Sequence, residues 1–365
     1  MRSSVIGAKG KTNCIGGRIT QLVTEVLRVD PADPNQKLIA RAAECLRAGG
    51  LVAFPTETVY GLGADALNRQ AIQRLFTAKE RPANDPLIVH VAAFDDMVPL
   101  VADVPRAARD LAARFWPGPL TMVLRRSPRV PDEVTAGLET VAIRVPSHPV
   151  ARALLERARI PVAAPSANLF SRPSPTRASH VLADLDGRID IIVDGGPTDV
   201  GLESTVVDLS SEPPRILRPG AIGLNALRES LPAVAAHDTA IRADAAMPSP
   251  GMLTLHYSPK TPLLLHEGSR EIDLPLMKQT ARRLLDRGHS VVVLAYGEDT
   301  DELRSLGVQI VELGHENNPT TIAARLYSAL RECDELGANA ILVRSMTTAH
   351  PLSGAIQDRL RRAAQ

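Results

Sequence analysis

Between Asn35 and Gly50 the apolar residues Leu38, Ile39, Ala42, Ala43 and Leu46 recur every three or four positions, which predicts a helix stopped by Gly49 and Gly50. The pattern then changes. "LVAF" (51–54) is a short continuous apolar run, expected as a buried strand, and "NRQAIQRLFTAK" (68–79) returns to helical spacing, with Asn68 as N-cap and Ile72, Leu75 and Phe76 facing inward. Further strands are expected at "PLIVHV" (86–91), "LTMVLR" (120–125), "VAIRV" (141–145), "IPVAA" (160–164), "DIIVD" (190–194), "STVVDL" (204–209) and "RILR" (215–218). Helical patterns fall at 105–115, 148–158 and 176–185.

The last three of these strands follow one another without helices, so the sheet is expected to be mixed rather than purely parallel. This reads as an α/β domain spanning 35–222, preceded by an N-terminal extension (1–34). Residues 223–261 have the Pro, Ala, Ser and Gly content of a linker. From 262 to 365 strands and helices alternate again: "PLLLH" (262–266), a helix at 275–287, "VVVLAY" (291–296), "VQIVEL" (308–313), a helix at 320–335 and "AILVR" (340–344). That is a smaller Rossmann-like α/β/α sandwich. It carries neither a GxGxxG nor a P-loop sequence, so nothing places a nucleotide there.

Composition changes the picture in three ways. Hydrophobic residues make up 44% but aromatics only 3%, so the core must be built from aliphatic side chains. A net charge of +1 argues against a surface-wide basic field for nucleic acid and against a polybasic membrane anchor, while leaving room for a local cationic pocket. Cys14, Cys45 and Cys333 form no CxxC pair, so neither a disulfide framework nor a zinc site is indicated. No apolar run reaches the ~20 residues of a membrane span, and residues 1–20 lack the apolar segment of a signal peptide, so a cytoplasmic protein is expected.

Polar residues gather at the ends of the expected strands, where burial is unfavourable unless they are paired or serve a ligand. In "PTETVYGLGADA" (55–66), Thr56, Glu57, Thr58 and Tyr60 precede Gly61 and Gly63; this reads either as a glycine-rich turn or as part of a ligand site at a strand's carboxyl end. In "KERPANDPLIVHV" (79–91), Lys79 and Arg81 stand two apart, so in an extended segment both point to one side and suit a polyphosphate; alternatively they complement the dipole of a helix end. Arg144 lies inside an apolar strand and needs an anion, either a protein carboxylate or a substrate one. "APSANLFSRPSPT" (164–176) gathers Ser166, Asn168, Ser171 and Ser174 in a loop, and "GLESTVVD" (201–208) with "ILRPG" (216–220) adds Ser204, Thr205 and Arg218. HExxH and GxSxG are absent, so cations and hydroxyls dominate: groups for gripping a nucleotide and an amino acid rather than for covalent catalysis.

Together, "PTETVYGLG", the KxR of Lys79 and Arg81, "FWPGPLT", "VAIRVPSHP", the SxN of Ser166 and Asn168, "GLESTVVD" and "LRPG" resemble the YrdC/Sua5 family of L-threonylcarbamoyladenylate synthases over residues 36–222. "SPGMLTLHYSPKTP" (249–262) resembles the long Sua5 form, which carries a C-terminal Rossmann-like domain. The resemblance implies a YrdC-like twisted mixed sheet with flanking helices. It implies a nucleotidyltransferase joining L-threonine, bicarbonate or CO2 and ATP into threonylcarbamoyl-AMP, releasing pyrophosphate, with Mg²⁺ bound on the ATP phosphates and no dedicated protein metal ligands. It implies hand-over of the product to a tRNA threonylcarbamoyl-transferase complex for t6A modification, and weak tRNA or double-stranded RNA binding.

Matched motif by motif, the threonine pocket comprises Thr58, His90, Arg144, the backbone at Ala164, and Ser204. The ATP side comprises Lys79, Arg81, Asp85, Thr140, Ser166, Asn168, Ser174, Arg218 and, from the linker, Tyr257; Lys79 and Arg81 are the catalytic cations. Removal of Lys79 or Arg81 is expected to cost far more in turnover than in stability. Asp85 is unusual beside a polyanion and must pair with ribose, Mg²⁺ or Arg81. The segment carrying Tyr257 is expected to close over ATP as a lid. Two rivals remain: a carbamoyl-phosphate-using carbamoyltransferase, and a double-stranded-RNA or tRNA binding module without catalysis.

Overall fold

The structure, a computed structural model, describes residues 23–236 and 257–364. Its strands are β1 (Glu25–Arg28), β2 (Val52–Pro55), β3 (Tyr60–Asp65), β4 (Ile88–His90), β5 (Leu120–Arg125), β6 (Thr140–Arg144), β7 (Val162–Ala163), β8 (Ile191–Asp194), β9 (Thr205–Asp208), β10 (Arg215–Arg218), β11 (Leu263–His266), β12 (Val291–Tyr296), β13 (Gln309–Gly314) and β14 (Ala340–Arg344). The first ten form one mixed sheet in the order β1-β8-β2-β3-β7-β4-β6-β5-β9-β10, and the last four form a parallel sheet in the order β11-β14-β12-β13. The expected fold class is therefore the one observed.

Alternation along β2 shows how the large sheet fills both faces. Ala53 packs with helices Arg69–Lys79, Arg106–Phe115 and Ala178–Leu185, through Ile72, Leu75, Leu111 and Val181. Val52 and Phe54 pack on the opposite side with helices Gln36–Arg47 and Pro149–Ala158, through Ile39, Leu46, Val150 and Leu154. Asn35 and Asn68 cap their helices by accepting from the second and third residues onward, as Asn side chains do at N-caps. The small sheet is likewise covered on two faces: Val291 and Val293 with helix Arg270–Asp286, Val292 and Leu294 with helices Pro319–Glu335 and Ser353–Ala363.

Four expectations change. The glycine-rich stretch after β2 is not only a turn: Tyr60–Asp65 returns as β3, antiparallel to β2, with Pro55 opposite Tyr60. Gly63 permits this, since a Cβ there would sit 2.9 Å from both Phe54 and Val162. The N-terminal extension contributes β1, paired parallel with β8, and buries Leu27 and Val29; a four-residue edge strand is too short for its alternation to stand out. The expected linker begins with a helical turn, Leu224–Arg228, whose Leu227 joins the main core with Leu231 and Val234, and residues 249–256 of the expected lid lie outside the described residues. Helix Arg270–Asp286 starts five residues before Pro275, which lies in its second turn and removes one i→i−4 hydrogen bond, and a final helix, Ser353–Ala363, follows β14.

Candidate active site

Strands β4 and β6 run parallel, and their carboxyl ends meet the amino end of β9 and the carboxyl end of β10 at one edge of the large sheet. Residues projecting there line a cleft of about 490 Å³, its open mouth included. The lining takes Thr56 and Thr58 from the β2–β3 turn, Arg81 from the β4 approach, His90 and Arg144 from the strand ends, and Ala164, Pro165 and Ser166 after β7. Glu203, Ser204, Arg218 and Tyr257 close the other side.

One end of the cleft is organised around Arg144. Its Nε donates to the Gly118 carbonyl (3.2 Å), Nη1 to Thr58 Oγ1 (2.9 Å), and Nη2 lies 2.7 Å from Glu57. The anion required by this strand arginine is thus a protein carboxylate in this structure. A guanidinium has five N–H groups, so each terminal nitrogen keeps a donor for another acceptor. Burial alone would raise the Glu57 carboxyl, but Arg144 outweighs it and lowers it. His90 is buried edge-on to Phe54 and pushed down to about 3, first by burial and then by Arg144, so it is a neutral imidazole. Ser204 Oγ shares a 2.7 Å hydrogen bond with Thr121, and both its carbonyl and hydroxyl accept from Arg218.

Arg81 and Arg218 complete the cationic lining, Arg218 beside Ser204. Arg81 donates to the carbonyls of Asp85 (3.3 Å) and Pro86 (2.9 Å), and its Nη2 lies 2.8 Å from the Asp85 carboxylate, with both side chains buried. Of the three partners open to Asp85, the structure selects Arg81. Burial lowers Arg81 and raises Asp85, and each charge opposes the shift of the other.

Lys79 and Arg81 do not share an extended segment. Lys79 ends a helix, and Glu80 caps it in the left-handed region (φ 55°), so the extended geometry expected to point both cations to one side is not formed. Lys79 Nζ lies behind the lining and donates to the carbonyls of Ser166 and Asn168, both at 2.5 Å. Burial, then the Arg81 charge, depresses its pKa strongly. Asn168 pins the next turn by donating to the carbonyls of Leu169 and Arg172, and Ser174 Oγ donates to Glu203 (2.6 Å).

Of the expected site residues, Thr58, Arg81, His90, Arg144, Ala164, Ser166, Ser204, Arg218 and Tyr257 line the cleft. Lys79, Asp85, Asn168 and Ser174 stand behind it, and Thr140, the first residue of β6, is not among the lining residues. Sequence reasoning noted Glu57 only as part of a polar turn, without its role as the partner of Arg144, and missed Glu203. Both lie within quoted polar stretches, and an acid beside a motif hydroxyl was the available signal. It also missed Tyr327 and Arg359 of the C-terminal domain, which reach Glu203 from helices with ordinary amphipathic patterns.

A family model described as "Telomere recombination", of the Sua5, YciO and YrdC proteins, matches residues 44–220, and one described as "Threonylcarbamoyl-AMP synthase, C-terminal domain" matches residues 222–365. The threonylcarbamoyl-AMP synthase of Pyrococcus abyssi is 42% identical over 88% of this chain and 93% of its own length. That of Bacillus subtilis is 43% identical over 92% of this chain and 95% of its own. Among solved structures, P. abyssi Sua5 complexed with L-threonine superposes with a TM-score of 0.86 at 39% identity, covering 93% of this chain and 98% of that one.

Proposed function

This chain belongs to the Sua5/YciO/YrdC family in its two-domain form, and from that premise we propose that it is a threonylcarbamoyl-AMP synthase, a nucleotidyltransferase using L-threonine, bicarbonate or CO2, and ATP. The observation that carries the reading is that a single cleft is lined both by a first group, Arg144, Thr58 and His90, and by a second, Arg81 and Arg218. The first suits an amino acid: the free Arg144 donors meet its carboxylate, and Thr58, Ser204 and the neutral His90 meet its small polar side chain and amine. The second suits a polyphosphate, with Ser166 toward the nucleoside and Tyr257 covering it.

In this reading the threonine amine gives up a proton and takes up CO2 as a carbamate. A carbamate oxygen then attacks the α-phosphorus of ATP; the new O–P bond forms as the bond to the bridging oxygen breaks, and pyrophosphate leaves with that electron pair. No protein nucleophile is needed. The residues orient the two substrates and neutralise charge through Arg81 and Arg218, while Lys79 supports the Ser166–Asn168 loop from behind. Mg²⁺ enters with the ATP phosphates. That mode suits these residues, because the Asp85 carboxylate is already paired with Arg81, and Mg²⁺ held by the phosphates would neutralise part of their charge. The product then passes to a separate transferase complex for t6A modification of tRNA, which also makes weak tRNA or double-stranded RNA binding an expectation. We place this chemistry in the cytoplasm; among the described residues no helix is long and apolar enough to cross a membrane.

Incubation with ATP, Mg²⁺, bicarbonate and labelled threonine is expected to yield the adenylate, detected by mass, with stoichiometric pyrophosphate. Pyrophosphate release that ignores threonine, or that needs carbamoyl phosphate, refutes the reading. Salt-dependent tRNA binding without any adenylate favours a binding module instead.

A further inference from the structure

Glu203 is a carboxylate in the wall of a cleft that the reading above assigns to a polyanion. It lies beside Ser204 and shares the lining with Arg81 and Arg218. A fixed negative charge there repels ATP unless something neutralises it, and the catalytic domain does not do so alone. The C-terminal domain supplies the counter-ion: Arg359 Nε donates to Glu203 Oε2 at 2.8 Å, with the Arg359 side chain fully buried. Tyr327 OH donates to the same carboxylate at 2.9 and 3.1 Å. Arg359 also donates to the Pro219 carbonyl (3.1 Å), next to Arg218, and to Asp358 (2.6 Å), a carboxylate that keeps a second cation, Arg362 (3.1 Å); its guanidinium lies 5.3 Å from the Tyr257 ring centre. Tyr257 and Tyr327 are in ring contact at 5.4 Å.

Burial by itself would raise the Glu203 carboxyl; Arg359, then Arg218, bring it down to about 2, so the group is ionised at every working pH. The approach of the two domains is built into the backbone. Gly201, two residues before Glu203, has φ +73°, and a Cβ there would lie 2.4 Å from the Cα of Ala324 in helix Pro319–Glu335.

We propose that Arg359 is a positioning residue that completes the ATP site electrostatically: it masks Glu203, so the C-terminal domain is part of the active site's charge balance and not only an appended module. The proposal rests on the synthase reading. Arg359 acts through Glu203, and its effect falls on ATP rather than on threonine.

The test uses the full-length protein and steady-state adenylate formation, with thermal unfolding as a fold check. Arg359→Met keeps most of the volume beside Tyr257 and removes the charge; it is expected to raise KM for ATP roughly tenfold or more, with KM for threonine changed less than about twofold. Arg359→Lys keeps the charge and is expected to recover most of the loss. The deciding variant is Glu203→Gln combined with Arg359→Met, in which the pair becomes neutral at similar volume; its KM for ATP is expected to return to within about threefold of the parent. If Arg359→Met does not fold, the double variant decides alone. An unchanged KM for ATP in folded Arg359→Met, or a folded double variant still tenfold impaired, overturns the proposal. If the parent protein makes no adenylate at all, the synthase reading has failed instead.

Discussion

Lys79→Met tests how the first catalytic-motif cation is used. Lys79 is 1% exposed, and its amine satisfies two carbonyls, those of Ser166 and Asn168, at 2.5 Å each. Methionine fills similar volume but donates nothing, which leaves two buried carbonyls unpaired at about 1–3 kcal/mol apiece. The lysine's own desolvation, evident in its depressed pKa, offsets part of this. A net loss of about 2–4 kcal/mol follows, and for a domain of this size each kcal/mol lowers Tm by about 2–4 °C, so a fall of about 5–15 °C is expected. The motif alone leads to the expectation that turnover suffers far more than stability; the anchoring contacts add a stability cost of this size. The assay is thermal unfolding by circular dichroism beside pyrophosphate release; both should fall, because the loop carrying Ser166 loses its anchor. A variant melting within about 2 °C of the parent refutes the anchoring role, whatever its activity.

Three further outcomes follow. The His90 pKa lies near 3, below its unfolded value of 6.5, so the unfolded chain binds the proton first and stability is lost as pH falls from about 6.5 toward 3, at about 1.4 kcal/mol per unit from this group. Urea titrations at pH 7, 5 and 4 should therefore show His90→Gln losing less stability on acidification than the parent, and parallel losses would contradict the assignment. Gly201→Val places a β-branched side chain at φ +73° against Ala324, and a loss of about 2–5 kcal/mol is expected by chemical denaturation; a neutral effect would mean that the domains are not packed this closely. Asp184→Asn leaves Arg331, which binds Asp184 at 2.7 Å and the Pro173 carbonyl at 2.5 Å, without its buried counter-ion, at about 3–5 kcal/mol in the same assay; less than 1 kcal/mol would show that the pair is already hydrated.

The kind and order of most elements were legible in the local pattern, because periodicity, caps and stop signals act over a few residues: β5, β10, β12 and β14 occupy the runs read from their patterns. The sequence also nominated nine of the cleft's lining residues, through the motifs by which it resembles the family. Only the tertiary structure decided how the charges pair. Arg144 meets Glu57 because β6 and the β2–β3 turn converge across the sheet, and Lys79 meets the carbonyls of Ser166 and Asn168, 87 and 89 positions away. Glu203 meets Tyr327 and Arg359 because Gly201 lets a helix from the other domain approach. A side chain's electrostatic partner depends on position in space, and an arginine 156 positions away leaves no trace in the local pattern of the residue it neutralises.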